Sequence, residues 1–464
     1  MPVPTAPQSD TWRDLCSGRR GPRLLLIWLG IWVGAAESLV TATIMPTVAR
    51  QLGGYAYFSW AVALFMIGTI LAVASAGRLA ERYGLARASA GAGLVLATGC
   101  AVSALAPDIF TFLAGRWVQG VGGGWISGFA MVAVSRFFPE RHLARVFASA
   151  TAIWALATVL GPLLGGVFAG SGSWRGVFWL FSAQALLFVL AALLLFRGAA
   201  PAERGARVPW PQLGLLAVGV AALVLASLAE HWLWVLGLLL LSIGMLAWLR
   251  WRDQRGENRL LPAGAWQLRH TVGAGYAAMA AVTAASMALL IYGPPILQAL
   301  QGLSPLRAGY VVAVQAMAWT LAALAVSGAD RKGERRWIRI GALTVLLGVL
   351  LLAAVMTSPV LWVLMGAAIC GLGLGWGSSL MNRRLLRALA EGDRTIGSSA
   401  LIAVRQVGGA VGAVLAGLAA NLAGVAEGLS PESAERAAPV VFMAVLPMAL
   451  LAVWCAWRFT RSAD

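Results

Sequence analysis

Long apolar stretches separated by short polar segments dominate the pattern along the chain. Most of these stretches are about 20 residues long, the length that an α-helix needs to cross a bilayer. Backbone amides and carbonyls in lipid must be bonded within their own segment, so we expect each stretch to form a helix. The fourteen stretches are residues 24–48, 57–77, 89–107, 109–135, 146–170, 175–196, 211–229, 232–249, 272–299, 308–328, 340–357, 360–382, 396–420 and 438–457.

A glycine-rich hairpin occurs twice in this pattern. The run Gly120–Trp125 is followed 251 positions later by the similar run Gly371–Trp376, and in the same register Gly161 aligns with Gly412. Internal symmetry on this scale is typical of transporters built from two halves. Chance similarity among the 54 glycines of the chain is the alternative explanation.

These observations predict an all-α polytopic membrane protein with two pseudo-symmetric six-helix halves and two extra central helices. The predicted parts are a cytoplasmic tail at 1–23, an N-terminal half at 24–197, a linker with two helices at 198–270 and a C-terminal half at 271–464. A single interfacial hairpin is the alternative for the linker. Each of its two apolar runs is nevertheless long enough to span a bilayer.

Charge placement predicts the orientation. The 464-residue chain is 11% charged with a net charge of +17, whereas soluble domains are about 25% charged. Most Lys and Arg fall in alternate polar segments, so both termini should be cytoplasmic. The exceptions are Arg50, Arg175, Arg307 and Arg436 in predicted outer loops, and Arg116 and Arg405 inside apolar runs. The charge suits anionic lipid headgroups, and the folded basic face that nucleic acid requires is absent from the pattern.

Several classes of site have no support in the sequence. Four widely spaced cysteines and three scattered histidines suggest neither a disulfide framework nor a metal site. No catalytic serine elbow, paired histidines with an acid, or nucleotide loop is present, so an enzyme is not expected. A channel is the other alternative, although a repeated glycine-rich hairpin favours alternating access. We therefore expect no cofactor, with a proton gradient as the energy source.

The only acid well inside an apolar run is Glu37, about midway along the first predicted helix. Burial favours the neutral form of a carboxyl, whereas a nearby cation favours its charged form. Arg116 is the candidate cation because its helix enters from the other side to a similar depth. We predict that this pair loads and releases protons, since isolated charges in membranes usually mark ion pathways. A static ion pair that holds helices together is the alternative.

Other polar and aromatic residues in the apolar runs are candidates for a substrate cavity. Thr41 and Met45 share the helical face of Glu37. Some of the remaining candidates should line the cavity and others should only bond neighbouring helices. They are Gln119, Trp125, Trp154, Gln298, Gln315, Asn382 and Arg405.

Three motifs resemble those of the major facilitator superfamily, over nearly the whole chain. The stretch Gly77–Arg87 is similar to its signature loop between helices two and three, with Glu81 in place of the usual Asp. This resemblance implies a gating loop, and opposite charges at its turn predict a cluster of Glu81, Arg82 and Arg87. Gly84 would allow the turn, and Asp330 lies at the matching place in the second half.

The other two motifs imply the direction of transport. Arg116-x-x-Gln119-Gly120 resembles the fourth-helix arginine motif, which is implicated in proton coupling. The second resembles the fifth-helix motif of exporters and comprises Gly161, Pro162, Gly165 and Gly166. From its close-packing glycines we expect tight contact with another helix.

The fourteen-helix drug:proton antiporter branch is the most similar, since Glu37 and Pro46 have the acid–proline spacing of its first helix. The resemblance implies a proton-coupled antiporter that exports amphipathic or cationic small molecules, acting as a monomer. An exporter of one dedicated metabolite is the alternative. The chain has a single lysine against 34 arginines, which suggests a high-GC bacterial gene. We therefore expect the protein to lie in the inner membrane of a bacterium.

Overall fold

Fourteen α-helices account for nearly all of the described chain. The structure, a computed structural model, describes residues 18, 20–196, 210–226, 231–255, 259–390 and 393–461. Most of the predicted cytoplasmic tail therefore lies outside the described residues. The helices are α1 (Arg20–Leu52), α2 (Phe58–Tyr83), α3 (Leu85–Leu105), α4 (Ile109–Phe137), α5 (Glu140–Gly170), α6 (Trp174–Leu195), α7 (Trp210–Ala226), α8 (Trp232–Arg255), α9 (Thr271–Gln301), α10 (Pro305–Ala325), α11 (Arg331–Val355), α12 (Val360–Ala388), α13 (Arg394–Leu422) and α14 (Pro431–Arg461).

One helix lies at each of the fourteen predicted apolar runs, so the predicted all-α membrane fold is confirmed. Within the described ranges, twelve helices are long and apolar enough to cross a membrane. The other two are α7, which has 17 residues, and α4, whose 29 residues include Arg116, Gln119 and several glycines.

The helices form two similar groups of six. Helices α4 and α12 begin and end 251 positions apart, which is the register of the repeated glycine run. Helices α1–α6 pack together, as do α9–α14, and the groups meet through α2 against α13 and α5 against α10. The register aligns α2 with α10 and α5 with α13, so these two junctions are equivalent. Helices α7 and α8 pair with each other, and α7 lies against α2 and α13.

Both described ends of the chain lie on one side of the bundle, here named the terminal side; the other is named the opposite side. Arg23 in α1 donates a hydrogen bond from Nε to the carbonyl of Leu195, at 3.0 Å, which places the start of α1 beside the end of α6. Arg339 in α11 donates from Nε to Thr460 Oγ1 in α14, at 2.7 Å.

The prediction that residues Gly77–Arg87 form a loop is wrong, because nearly all of them are helical. Helix α2 continues to Tyr83 and α3 begins at Leu85, so only Gly84 lies outside a helix. Its φ of 76° falls in the left-handed region that glycine adopts freely. One glycine is therefore enough to reverse the chain at this point.

Candidate proton and substrate site

A buried ion pair lies at the centre of the N-terminal half. Arg116 Nη1 in α4 donates to Glu37 Oε1 in α1 at 2.6 Å, and both side chains are almost fully buried. Glu37 lies near the middle of α1, far from both ends of the helix. The structure thus brings together the two residues predicted for proton coupling.

Arg116 is held by groups from two further places. Its Nε donates to the carbonyl of Ala61 in α2 at 3.2 Å, and its guanidinium lies 4.7 Å from the ring centroid of Phe65. Its Nη1 also donates to Gln119 Oε1, one turn away. The guanidinium is therefore fixed by neutral acceptors and an aromatic face as well as by Glu37.

Gln119 connects this pair to α3. Its Nε2 donates to the carbonyl of Gly99 at 3.0 Å and to Ser103 Oγ at 2.9 Å. A Cβ on Gly99 would lie 2.6 Å from the Gln119 backbone nitrogen, so this close approach needs glycine. Gln119 is fully buried. It orients Arg116, and the prediction that it lines an open cavity is wrong.

Glu37 keeps one free acceptor. Its Oε2 is buried without a hydrogen-bond partner among the described residues. Thr41, one turn on, donates to the Glu37 backbone carbonyl at 2.8 Å and leaves the carboxylate alone. A buried carboxylate oxygen without a donor can accept a proton or a donor from a bound molecule. The geometry therefore suits a group that changes partners.

The two halves are in close contact on the opposite side. At the α5–α10 junction, a Cβ on Gly166 would lie 2.6 Å from Leu306 Cβ, and one on Gly309 would lie 3.0 Å from Pro162 Cβ. Glycines at such points let helix backbones approach closely. The exporter-like motif thus packs tightly on two sides. Gly161 and Gly165 lie against Leu39 and Thr43 of α1 in the same half, and Pro162 and Gly166 lie against α10 of the other half.

The same closure occurs at the equivalent α2–α13 junction. Asn421 Nδ2 donates to the Ala56 carbonyl at 3.0 Å, and a Cβ on Gly409 would lie 2.6 Å from the Met66 side chain. Both contacts involve residues of different halves. Asn421 lies at the end of α13 on the opposite side, and Gly409 lies near the middle of this helix.

On the terminal side the contact is lost. Gly77 lies three turns after Met66 on the same face of α2, yet it is exposed, and a Cβ added to it would have no neighbour within 4 Å. Trp154 lies on the α5 face of Gly161 and Gly165, which packs on α1, and it is 50% exposed. The halves are therefore closed on the opposite side and separated on the terminal side.

Arg405 is the second deep cation. It lies in α13 one turn before Gly409, and its guanidinium is 5.6 Å from the ring centroid of Trp319 in α10. The described residues provide no acidic partner for it. Of the predicted cavity residues, Arg405 thus lies one turn from the Gly409–Met66 contact between the halves.

The fold and this buried pair can be compared with known proteins. The family description Major Facilitator Superfamily matches residues 27–328, more than half of the chain. The chain belongs to the major facilitator superfamily.

Relatives within the superfamily include a protein named as a probable multidrug-efflux transporter. The probable multidrug-efflux transporter Rv1634 of Mycobacterium tuberculosis is 29% identical, over 90% of this chain and 91% of that protein. The acurin A biosynthesis cluster MFS-type transporter of Aspergillus aculeatus is 27% identical, over 84% and 74%. The solved bacterial homologue of the lysosomal transporter Spinster, inward-facing and unoccupied, has a TM-score of 0.66 at 14% identity, over 96% and 97%.

These findings make the protein an integral membrane transporter and not an enzyme. Membership of the superfamily implies a small-molecule substrate. Likeness to the solved structure, at 14% identity, shows the fold alone. Named efflux relatives agree with a role in drug efflux, while the coupling ion is a separate question.

The other predicted cavity residues are scattered. Met45 is buried in the core, and Trp125 donates to Ser75 Oγ in α2 at 2.8 Å. Gln315 is buried and donates to Cys370 Sγ at 3.4 Å. Asn382 is half-buried near the terminal end of α12, and its Oδ1 has no hydrogen-bond partner within the described ranges.

Gln298 lies away from the membrane centre. It borders a groove of about 480 Å³ on the opposite side, together with Arg50 and Gln51. It lies one turn from the end of α9, because that helix continues only to Gln301. The structure therefore places Gln298 at the mouth of the closed side.

The predicted charge cluster of Glu81, Arg82 and Arg87 does not form as expected. Arg82 and Arg87 are exposed on either side of Gly84, and neither pairs with Glu81 among the described ion pairs. Glu81 instead interacts electrostatically with Arg78, which lies one turn earlier in α2. The helical ends separate residues that an open loop would have brought together.

Sequence reasoning missed a larger cluster in the second half. Glu334 in α11 is fully buried, and its carboxylate accepts from Arg383 Nε at 2.9 Å and from Arg387 Nη2 at 2.5 Å; Arg384 Nη1 lies 3.9 Å away. The sequence signal that could have indicated this cluster was the group of arginines that follows the twelfth apolar run. The predicted Asp330 instead caps α11, accepting from the Gly333 amide at 2.7 Å.

Proposed function

We propose that this superfamily member exports amphipathic small molecules, cationic ones among them, in exchange for protons. The observation that carries the proposal is the buried Glu37–Arg116 pair, with one carboxylate oxygen unbonded. Among the described residues Glu37 is the only acid at this depth. The names of the efflux relatives support export of drugs.

Two states of Glu37 would account for the exchange. When ionised, the carboxylate needs Arg116 or a cationic substrate beside it, since an unpaired buried charge is unfavourable. When protonated, it is neutral and Arg116 is left with Gln119, Ala61 and Phe65. Proton and substrate would then favour different states of one site, which is antiport by linkage.

Alternating access would come from the two equivalent junctions. Closure at α5–α10 and α2–α13 on the opposite side leaves the space between the halves open to the terminal side. The arginine-rich terminal side fits the cytoplasm of a bacterial inner membrane by the positive-inside rule. Rocking of the two halves would close the terminal side of the space between them and open the opposite side. Every group in this scheme belongs to one chain, so we propose a functional monomer.

An exporter of one dedicated metabolite is the second candidate. The relative named for an acurin A biosynthesis cluster favours it. A susceptibility screen of a pump-deficient host across many toxic compounds separates the two, because a dedicated exporter protects against few of them.

Everted membrane vesicles with an acidic interior test the exchange. We expect rhodamine 6G to accumulate inside, and its addition to dissipate part of the pH gradient, only when the protein is present. Dye accumulation that persists after an uncoupler has abolished the proton gradient would contradict proton coupling.

A further inference from the structure

Two adjoining grooves lie on the terminal side of the C-terminal half, away from the space between the halves. The first, of about 700 Å³, lies along α14 and includes Arg269, Arg458 and Arg461. The second, of about 560 Å³, lies between α11 and α14. Trp457 and Arg461 border both.

The grooves are lined by cations without acids. The second groove adds four cations of α11 to the shared Arg461, and no Asp or Glu of the described chain borders either groove. The four are Lys332, Arg335, Arg336 and Arg339. The nearest acid in α11, Glu334, is fully buried and paired with Arg383 and Arg387 on α12. Among the described residues that border the two grooves, the charged ones are therefore all cations.

Two guanidiniums are held in place before any ligand binds. Arg339 donates to Thr460 Oγ1 at 2.7 Å and lies 4.8 Å from the Trp457 ring centroid, and Arg458 lies 5.0 Å from the Trp454 ring centroid. A fixed guanidinium loses little freedom on binding, and its planar array of donors matches phosphate oxygens.

Apolar surface continues from the grooves towards the membrane centre. Leu450 on α14 is 53% exposed, and Leu347 on α11, one turn beyond the groove residue Leu343, is 59% exposed. Each groove thus has basic side chains at the membrane surface and exposed apolar side chains towards the membrane centre. This arrangement fits a molecule with an anionic headgroup and hydrocarbon chains. Basic pockets between helices at the cytoplasmic surface suit anionic lipid headgroups.

We propose that these grooves bind the headgroups of anionic phospholipids, one phosphate in each, with the acyl chains along α11 and α14. This site does not depend on the proposed proton exchange. Its ligand is a constituent of the surrounding leaflet and not a transported molecule.

Native mass spectrometry of the purified full-length protein tests the proposal. The detergent-solubilised protein is titrated with phosphatidylglycerol, with phosphatidylcholine of the same acyl chains, and with glycerol phosphate, which carries the phosphate without the chains. One double variant, Arg269→Gln with Arg458→Gln, changes the first groove. Another, Lys332→Gln with Arg336→Gln, changes the second. All four side chains are exposed, so folding should be little affected.

Helix α8 offers a matched control. Arg252→Gln with Arg255→Gln removes two exposed cations from the last turn of α8, and Arg255 also stacks on a tryptophan, at 4.7 Å from the Trp251 ring centroid. The control therefore loses the same charge and a similar arginine–tryptophan pair outside the grooves.

We expect phosphatidylglycerol to bind more tightly than phosphatidylcholine. Each groove variant should weaken the binding of one of the two lipids about thirtyfold, from the general contribution of two basic residues at an anionic surface, and the control should weaken neither. Equal binding of phosphatidylcholine, or equal loss in the control, would overturn the proposal. Glycerol phosphate binding as tightly as the lipid would also overturn it, since the site would then recognise free phosphate.

Discussion

Substituting Gly166 tests whether the opposite-side junction holds the structure in its present state. In Gly166→Ala the new Cβ would lie 2.6 Å from Leu306 Cβ and 2.7 Å from Leu306 Cα, in the other half. Carbon atoms in contact normally lie about 3.5–4.0 Å apart, so α5 and α10 would have to separate by about 1 Å. Because the Leu306 backbone is involved, a rotamer change cannot relieve the overlap.

The expected magnitude follows from this overlap. Overpacking of this kind costs about 1–3 kcal/mol, and the strain exists only while the junction is closed. The equilibrium should therefore shift towards opening by about 5- to 150-fold. Gly170→Ala is the matched control, because it lies one turn further along α5 and nothing lies within 4 Å of its Cβ position.

Spin labels at Ser171 and Arg307, which are exposed on the opposite side and belong to different halves, report the separation. Pulsed electron resonance distances should show a longer population in Gly166→Ala and the parental distribution in Gly170→Ala. A distribution that Gly166→Ala leaves unchanged would refute the reasoning, as would an equal shift in the control.

Three further predictions concern charges at the helix ends. Glu81→Gln removes the negative charge that acts on Arg78 at the end of α2, so it should slow transport and change accessibility labelling of the terminal side, and unchanged labelling would remove its gating role. Glu334→Gln leaves a cluster of arginines without their buried partner, so the protein should lose about 3 kcal/mol of stability, measured by thermal unfolding against the exposed control Glu435→Gln. Hydrogen bonds from the Thr111 amide and hydroxyl hold the pKa of Asp108 below its ordinary value, so its contribution to stability should be present above about pH 4 and fall as the pH drops through the lowered pKa. Asp108→Asn should show less of this acid dependence in thermal melts.

Apolar run length predicted the helices well because each span must satisfy its own backbone in lipid. The Glu37–Arg116 contact followed from the rarity of deep charges, which have few possible partners. Polar residues such as Gln119 were harder to place, because a helical sequence does not reveal whether an amide faces a cavity or a neighbouring carbonyl. Glu334 was missed because its basic surroundings are typical of a solvated helix end.

The unbonded oxygen of Glu37 could not be predicted either. It depends on which atoms of α2 and α4 reach Arg116 and on which atoms of α3 hold Gln119, and two of these, the Ala61 and Gly99 carbonyls, are backbone groups with no sequence signature. The closed side was likewise not predictable. The glycine motifs indicate close packing but not whether the partner helix lies in the same half.

The steady-state substrate gradient of Glu37→Gln tests the central claim most directly. Proteoliposomes with this variant are placed under a series of imposed pH gradients, and the ratio of internal to external rhodamine 6G is measured. Glutamine keeps the shape of the side chain and an acceptor for Arg116 but cannot exchange a proton, so the ratio should stay at its zero-gradient value. Counterflow of a neutral substrate without a pH gradient should persist, because glutamine, like the protonated carboxyl, disfavours only a cationic partner, and this control shows that the variant is folded and binds substrate. A ratio that rises in step with the imposed pH gradient would contradict proton coupling through Glu37.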